Sequence, residues 1–332
     1  MNILVTGGAG FIGCNLVRYL RREMPQARVT VLDKLTYAGS RENLADVIDN
    51  PLLTFIEGDI CEPAAVREAL KGIQVVVHLA AESHVDRSIM GAEAAVQTNS
   101  FGTFTLLEAA RATDLRCFLH VSTDEVYGAI PTGQCSEDAP LNPRNPYSAS
   151  KAAADHLARA YFVTYGLPVV ISRPCNNYGP YQYPEKLVPL FVYKALRDEP
   201  LPVYGEGMQV RDWLHVEDHC RAMGVLLENG EPGQVYNIPA DNERHNLQTI
   251  RLILDELGKP ESLIKHVADR PGHDVRYAMT GERIAALGWQ PQIEWEAGLR
   301  QTVRWLAEHQ DWLERSLARS QEYFDTWYKQ RG

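Results

Sequence analysis

The sequence predicts an α/β protein: a Rossmann-type, doubly wound parallel sheet with a smaller, interleaved C-terminal domain. Three observations predict it. Short β-branched runs alternate with longer amphipathic patterns through the first half of the chain, the pattern of strands flanked by helices. Runs such as Val75-Val76-Val77 are apolar without alternation, as strands covered on both faces require. A glycine-spaced segment, Thr6-Gly7-Gly8-Ala9-Gly10-Phe11-Ile12-Gly13, joins the first strand pattern to the first helix pattern.

Taken in order, strands are expected at 3–5, 29–32, 53–56, 75–79, 118–121 and 169–172, each a short run rich in Val, Ile, Leu or Phe. Helices are expected near 12–23, 63–71, 93–112 and 148–165. Beyond 172 the alternation loosens into a Pro-, Gly- and Tyr-rich region, 174–184. A helix near 216–228 and a strand at 235–238 then resume it. The expected division is therefore a dinucleotide-binding domain of 1–174 plus about 212–239, and a second domain of about 175–211 plus 240–332. The last thirty residues, with Trp305, Trp312 and Trp327 among many charges, predict an amphipathic helix pair.

Composition narrows the class. At 332 residues, 45% hydrophobic and 23% charged, the chain has the make-up of a soluble enzyme. A net charge of -10 argues against a nucleic-acid partner. The six cysteines are scattered with no C-x-x-C pair, which predicts reduced thiols and no metal site. No apolar run reaches the length of about 18 residues that a membrane span needs, and the amino terminus lacks the charged leader of a secreted protein. The expectation is a cytoplasmic protein with no membrane association.

Gly7, Gly10 and Gly13 form a G-x-x-G-x-x-G pattern. The first suits a tight turn, the second a pyrophosphate close to the backbone, the third tight helix–strand packing. Alone, such a triplet fits a plain strand–helix turn equally well. Asp33, 20 residues beyond Gly13, closes the second strand pattern. A carboxylate there can bond the adenine ribose hydroxyls and repels a 2′-phosphate, which favours NAD over NADP.

The chemistry concentrates in 122–151. Tyr147 and Lys151 stand at i and i+4, on one helix face just after Pro146. A phenol titrates near 10; an adjacent ammonium and a nicotinamide cation are expected to lower that value and make the phenolate a base. Thr123, off the end of the fifth strand, can bond the same substrate oxygen. By itself a Tyr-x-x-x-Lys pair fits an ordinary helix surface. Asp124 and Glu125 follow Thr123 directly. Adjacent carboxylates on a loop are commonly solvated charges, but in one site they repel, so one should keep its proton. An acid beside a base is equipment for removing water.

The nucleotide loop, the Tyr/Lys pair and the preceding Ser/Thr together resemble the extended short-chain dehydrogenase/reductase family. Residues 121–128 (VSTDEVYG), 80–89 (AAESHVDRSI), 176–187 (NNYGPYQYPEKL), 203–214 (VYGEGMQVRDWL) and 269–277 (DRPGHDVRY) resemble its nucleotide-sugar 4,6-dehydratases, above all those acting on dTDP-glucose. The resemblance implies an NAD-dependent lyase that oxidises C4 of dTDP-glucose, eliminates water across C5 and C6, and returns the hydride to C6. It implies Tyr147 as the base at the C4 hydroxyl, assisted by Thr123 and Lys151, Glu125 as the base at C5, and Asp124 as the acid for the C6 hydroxyl. NAD contacts are implied at Phe11, Ile12, Asp33, Lys34, Thr36, Asp59, Ile60, Ala80, Ser83, Thr98, Tyr147, Lys151 and Asn177, with the glycine loop. Nucleotide-sugar contacts are implied at Ser83, Thr123, Asn176, Lys186, Leu187, Pro202, Tyr204, Arg211, Asn246, Arg270 and His273.

Two Arg and a Lys in that set suit a diphosphate, and Tyr204 offers a face to a pyrimidine. Taken singly, Arg211 beside Asp212 is as readily an ion pair, and His273 a structural histidine. A homodimer through the helices near 93–112 and 148–165 is also implied. The chain departs from the family pattern at Cys14, at Pro174-Cys175 and at Ile238-Pro239-Ala240-Asp241, the last close enough to bear on Asn246. Three other readings stay open: a 4,6-dehydratase of UDP-glucose or another nucleotide sugar, an epimerase, and a non-catalytic NAD-binding scaffold.

Overall fold

The computed structural model describes residues 1–269, 272–320, 323, 326 and 327. The chain begins β1 (Asn2–Thr6), α1 (Phe11–Glu23), β2 (Arg28–Asp33), β3 (Leu53–Glu57), α2 (Pro63–Ala69) and β4 (Val75–His78). It continues with α3 (Val85–Met90), α4 (Glu93–Ala95), a π-helical stretch (Val96–Gly102), α5 (Thr103–Ala110), β5 (Cys117–Val121), α6 (Pro146–Tyr165) and β6 (Val169–Pro174). These strands, with β10 (Val235–Ile238), form a seven-stranded parallel sheet in the order β10-β6-β5-β4-β1-β2-β3. The chain winds outward from β1 to β3, then crosses back to β4 on the other side of β1. The switch point between β1 and β4 is where open α/β sheets bind ligands.

Continuous apolar strands explain the burial. Val75, Val76 and Val77 are all fully buried because neighbouring positions face opposite layers. Val75 and Val77 join the core that includes Leu16, Val17 and Leu20 of α1, and Val76 joins the one that includes Leu106 and Leu107 of α5.

The remainder introduces β7 (Asn176–Tyr178), α7 (Leu187–Leu196), β8 (Leu201–Tyr204), β9 (Val210–His215) and α8 (Val216–Asn229). After β10 come β11 (Glu243–His245), α9 (Asn246–Glu256), β12 (Ile264–Val267), α10 (Glu282–Ala286), α11 (Trp295–Glu308) and α12 (Gln310–Ala318). β9 lies between β7 and β11, and β12 pairs in parallel with β8. A third core joins α7, α9, α11 and α12 through Phe191, Ile253, Leu299 and Leu313. The expected helix pair is α11 and α12. It starts at 295, ahead of the last thirty residues, because the buried stripe Trp295, Leu299, Val303, Leu306 begins there. All six cysteines are free. Among the described residues no helix is long and apolar enough to cross a membrane.

Candidate active site

The glycine segment makes a strand–turn–helix with little freedom. Gly7 adopts φ +70°, and a Cβ on Gly13 would come within 2.1 Å of the Gly7 carbonyl oxygen. Only glycine fits a contact that close. Gly10 caps α1 without any side-chain hydrogen bond, and the first turn holds no acidic residue. Backbone N–H groups at such a terminus suit an anion. At the end of β2, Asp33 is buried, and its carboxylate accepts from Ala9 N at 2.9 Å and Leu35 N at 2.8 Å. Burial pushes its pKa up against those two bonds.

A cleft runs along the carboxyl ends of β1, β2, β4, β5 and β6. It is lined by Gly7, Gly10, Phe11, Ile12, Gly13, Asp33, Lys34, Thr36, Asp59, Ile60, Ala80, Ser83, Thr98, Tyr147 and Asn177, so every residue expected at NAD faces it except Lys151. Lys151 is buried behind this wall. The uncapped helix start, the glycine cradle and the carboxylate at the β2 end fit a dinucleotide.

A second cleft opens beside the first, between α7, β8, β9 and α9. It is lined by Asn176, Lys186, Leu187, Pro202, Tyr204, Arg211, Asn246 and His273. The remaining residues expected at the sugar nucleotide, Ser83 and Thr123, line the first cleft, and Arg270 lies outside the described residues. The two clefts share Glu125, Asn176, Asn177, Gln182 and Lys186. Lys186 Nζ donates to the Ser83 carbonyl at 2.7 Å, tying the two walls. Asn176 Oδ1, Gln182 Oε1, Gln209 Oε1, Asn246 Oδ1 and Trp213 Nε1 are buried polar atoms without a partner among the described residues. Buried polar groups ordinarily have partners, so this lining suits a polar ligand.

Asp212 and Arg211 do not form the ion pair open at the sequence level. Neighbours on a strand point to opposite faces. The Asp212 carboxylate accepts from Ala240 N and Asn242 N, both at 2.7 Å, while Arg211 Nη2 donates to the Asp274 carbonyl and its guanidinium sits 4.5 Å from the Tyr277 ring centre. The unusual 238–241 stretch is thereby held by Asp212, with Asp241 at φ +55° where glycine is the easier residue. The His273 ring stands edge-on to Tyr204, with centres 6.0 Å apart.

The chemical groups meet where the clefts join. α6 starts sharply because Asn145 caps Ser148 N at 2.9 Å and Pro146 takes the first turn. Tyr147 and Lys151 are consequently buried on one face. Lys151 Nζ donates to the Val121 carbonyl at 2.8 Å. β5 ends there, and Thr123 caps the short turn Asp124–Tyr127 by accepting from Glu125 N at 3.3 Å. Its hydroxyl also donates to Asp124 Oδ1 at 3.2 Å. Glu125 Oε2 accepts from Ser148 Oγ at 3.2 Å and lies 3.4 Å from the Tyr277 hydroxyl.

Burial, then the Glu125 charge, hold the Asp124 carboxyl well above the usual carboxylate range, with Arg211 opposing. Burial therefore favours the protonated form of Asp124. Burial lowers Lys151 to about 8, and the Asp155 charge opposes that shift. Tyr147 departs from the expected direction: burial and then Glu125 push the phenol up, against the Thr123 hydroxyl. In the protein alone, desolvation outweighs any help from Lys151.

Several residues of the site carried no signal of their own in the sequence. Tyr277, Ser148 and Gln182 come to Glu125 or to the cleft walls only through the fold. Asn99, in the π-helical stretch, binds Glu82 through both backbone N–H and C=O and also reaches Ser150 Oγ. The extra residue of a π turn was the available signal, and periodicity does not reveal it.

The comparisons with known proteins agree with this geometry. The family model described as GDP-mannose 4,6 dehydratase matches residues 4–302. The low-salt glycan biosynthesis protein Agl12 of Haloferax volcanii is 53% identical over 303 residues, covering 91% of this chain and 97% of that protein. The dTDP-glucose 4,6-dehydratase 1 of Escherichia coli is 47% identical, with 95% of each chain covered. Among solved structures, the Streptomyces venezuelae dTDP-glucose 4,6-dehydratase DesIV, solved with NAD and dTDP bound, superposes with a TM-score of 0.93 at 49% identity, covering 95% of this chain and 100% of that one. With its parallel sheet, its glycine cradle and a family match spanning most of its length, the chain belongs to the GDP-mannose 4,6 dehydratase family.

Proposed function

We propose that this chain is an NAD-dependent hydro-lyase that converts dTDP-glucose to dTDP-4-keto-6-deoxyglucose and water. The observation that carries it is the adjacent pair Asp124 and Glu125, the first buried where its acid form is favoured, at the junction of the two clefts beside Tyr147. An enzyme that only moved hydride would have no use for the pair.

Residues 1–174 with about 212–239 hold NAD, and residues 175–211 with 240–332 hold the nucleotide sugar. The cofactor, when bound, takes the hydride from C4 and returns it to C6. The protein's groups do the rest. Thr123 and Tyr147 hold the C4 hydroxyl, and Tyr147 takes its proton as the phenolate, the form that the Lys151 ammonium and a bound nicotinamide cation would favour against burial. The C4 ketone acidifies C5, and Glu125 removes the C5 proton and gives it back to C5 when hydride is returned to C6. Asp124 gives its proton to the departing C6 hydroxyl, because hydroxide leaves poorly without an acid. Arg211 and Lys186, with Arg270, answer the diphosphate. Asn246, Tyr204 and His273 face the nucleotide end.

The working form is a cytoplasmic homodimer. Val96, Phe101 and Phe104 on the π-helical stretch and α5, with Val163 and Tyr165 on α6, leave large apolar side chains exposed along the two helices where pairing is expected. Free cysteines throughout accord with a reducing compartment. The test is incubation with dTDP-glucose and no added reductant: the 4-keto sugar should form without net reduction of nicotinamide. Unchanged dTDP-glucose with NAD-loaded protein would sink the proposal.

A further inference from the structure

We propose that Trp327, near the C-terminal end of the chain, is a positioning residue for the nucleotide end of the site, acting through Tyr204. This rests on the reading of the second cleft as the nucleotide-sugar site. The Trp327 indole Nε1 donates to the Tyr204 hydroxyl at 2.8 Å, and that hydroxyl donates in turn to Asp86 Oδ2 at 3.0 Å. Tyr204, half-buried on the cleft wall, is thus held from two sides by groups far apart in sequence. A Tyr hydroxyl accepting one bond and giving another fixes its ring, leaving a rigid face for a base.

Tyr323 and Trp327 are packed against the body of the protein. Trp327 is 2% exposed and Tyr323 6%. The Tyr323 and Trp327 rings lie nearly parallel, with centres 6.3 Å apart. Tyr323 stands edge-on to His84 at 5.3 Å and under the Arg87 guanidinium at 4.4 Å. Arg87 is itself anchored to the fully buried Glu185 and reaches Ser320 Oγ at 3.2 Å. Ser320 and Tyr323 are therefore held against His84 and Arg87 of the motif 80–89, and Arg87 against Glu185 of the motif 176–187. Asp86 also lines that cleft. The Trp327 hydrogen bond goes to Tyr204 on the wall of the second cleft, so its loss should act on binding and spare the chemistry.

The test compares wild type, Trp327→Phe, Tyr204→Phe and the double variant, using the full-length, NAD-loaded protein. Calorimetry with dTDP alone reads the nucleotide end, and steady-state conversion of dTDP-glucose reads KM and kcat. Trp327→Phe keeps an aromatic ring and removes the donor. It should weaken dTDP binding and raise KM about three- to tenfold, the worth of one such bond, with kcat within about twofold. The double variant should be no weaker than Tyr204→Phe by more than about twofold, since both remove one interaction. Unchanged dTDP affinity in Trp327→Phe overturns the inference, as does a fall in kcat at constant KM or full additivity in the double variant. If wild type itself neither binds dTDP nor converts dTDP-glucose, the functional reading falls and this inference falls with it. A wild type that is active beside an unaffected Trp327→Phe rejects the inference alone.

Discussion

Lys151 Nζ donates to the carbonyl oxygen of Val121 at 2.8 Å, which ties the oxidation pair on α6 to the end of β5, just ahead of the turn that carries Asp124 and Glu125. One hydrogen bond thus couples the positions of two sets of chemical groups. An ammonium on a backbone carbonyl holds its place without being neutralised by a carboxylate.

Its charge should govern the alkaline limb of activity. Burial lowers Lys151 to about 8, and C4 oxidation that draws on the ammonium should decline as pH rises through that value. The same shift has a stability sign: a lowered Lys pKa is a penalty present below about 8 and relieved as pH rises toward the usual 10.5, where the unfolded chain also loses the proton. Single-turnover oxidation followed across that range checks the first. Lys151→Met should lose the alkaline limb together with most of the rate. An unchanged limb in that variant would show that another group sets it.

Asp124→Asn should separate oxidation from elimination. Without the proton that Asp124 supplies, elimination should fall roughly 10²–10⁴-fold, while C4 oxidation persists and reduced nicotinamide accumulates on the protein. Rapid-mixing absorbance of the bound cofactor reads both steps. An equal loss of oxidation would mean that the acid role is misassigned.

Tyr147→Phe should act earlier. It removes the phenolic oxygen that, as phenolate, receives the C4 proton, so the first hydride transfer itself should drop, and no reduced nicotinamide should build up. Bound-cofactor absorbance with dTDP-glucose distinguishes this variant from Asp124→Asn.

Gly13→Ala should empty the cofactor cleft. The new Cβ would lie 2.1 Å from the Gly7 carbonyl oxygen and 2.6 Å from Gly8 Cα, all backbone, so the loop must deform. A cost of about 1–3 kcal/mol is expected, in the range of overpacked sites, with NAD content after purification falling further than thermal stability. Full NAD retention would show that the cradle tolerates more room than its geometry indicates.

Asp155 carries a stability prediction away from the chemistry. Its carboxylate accepts from Arg173 Nε at 2.9 Å and lies 3.2 Å from His120 Nε2, with all three buried. Burial acts against the carboxylate, but His120 and Arg173 prevail and depress it from 3.8 to about 2. That stabilisation is complete above about 3.8 and is lost as pH falls through about 2. Asp155→Ala leaves Arg173 buried and unpaired, which should cost about 3–5 kcal/mol. Urea unfolding at neutral pH measures it, and a loss below about 1 kcal/mol would contradict the pairing as drawn.

Local pattern made the nucleotide-binding half legible. Strands that are apolar throughout, a glycine triplet and a carboxylate at the end of β2 are each written in consecutive residues, because the backbone conformation they require is local. The same holds for Tyr147 and Lys151, which the helix period alone puts on one face, and for the adjacency of Asp124 and Glu125. What the chain order could not express is which groups meet across hundreds of residues. Tyr277 reaches Glu125, Asp212 holds the 238–241 stretch and turns Arg211 toward Tyr277, and Trp327 meets Tyr204 at the end of β8, all only through the fold. Protonation belongs to the same class. The sequence determined that two carboxylates would share a site, but only burial in the folded site decided that Asp124 is pushed toward its acid form, and that Tyr147 in the protein alone rises when its ammonium neighbour was expected to lower it. Desolvation is a property of everything packed around a group, and no local run of residues contains it.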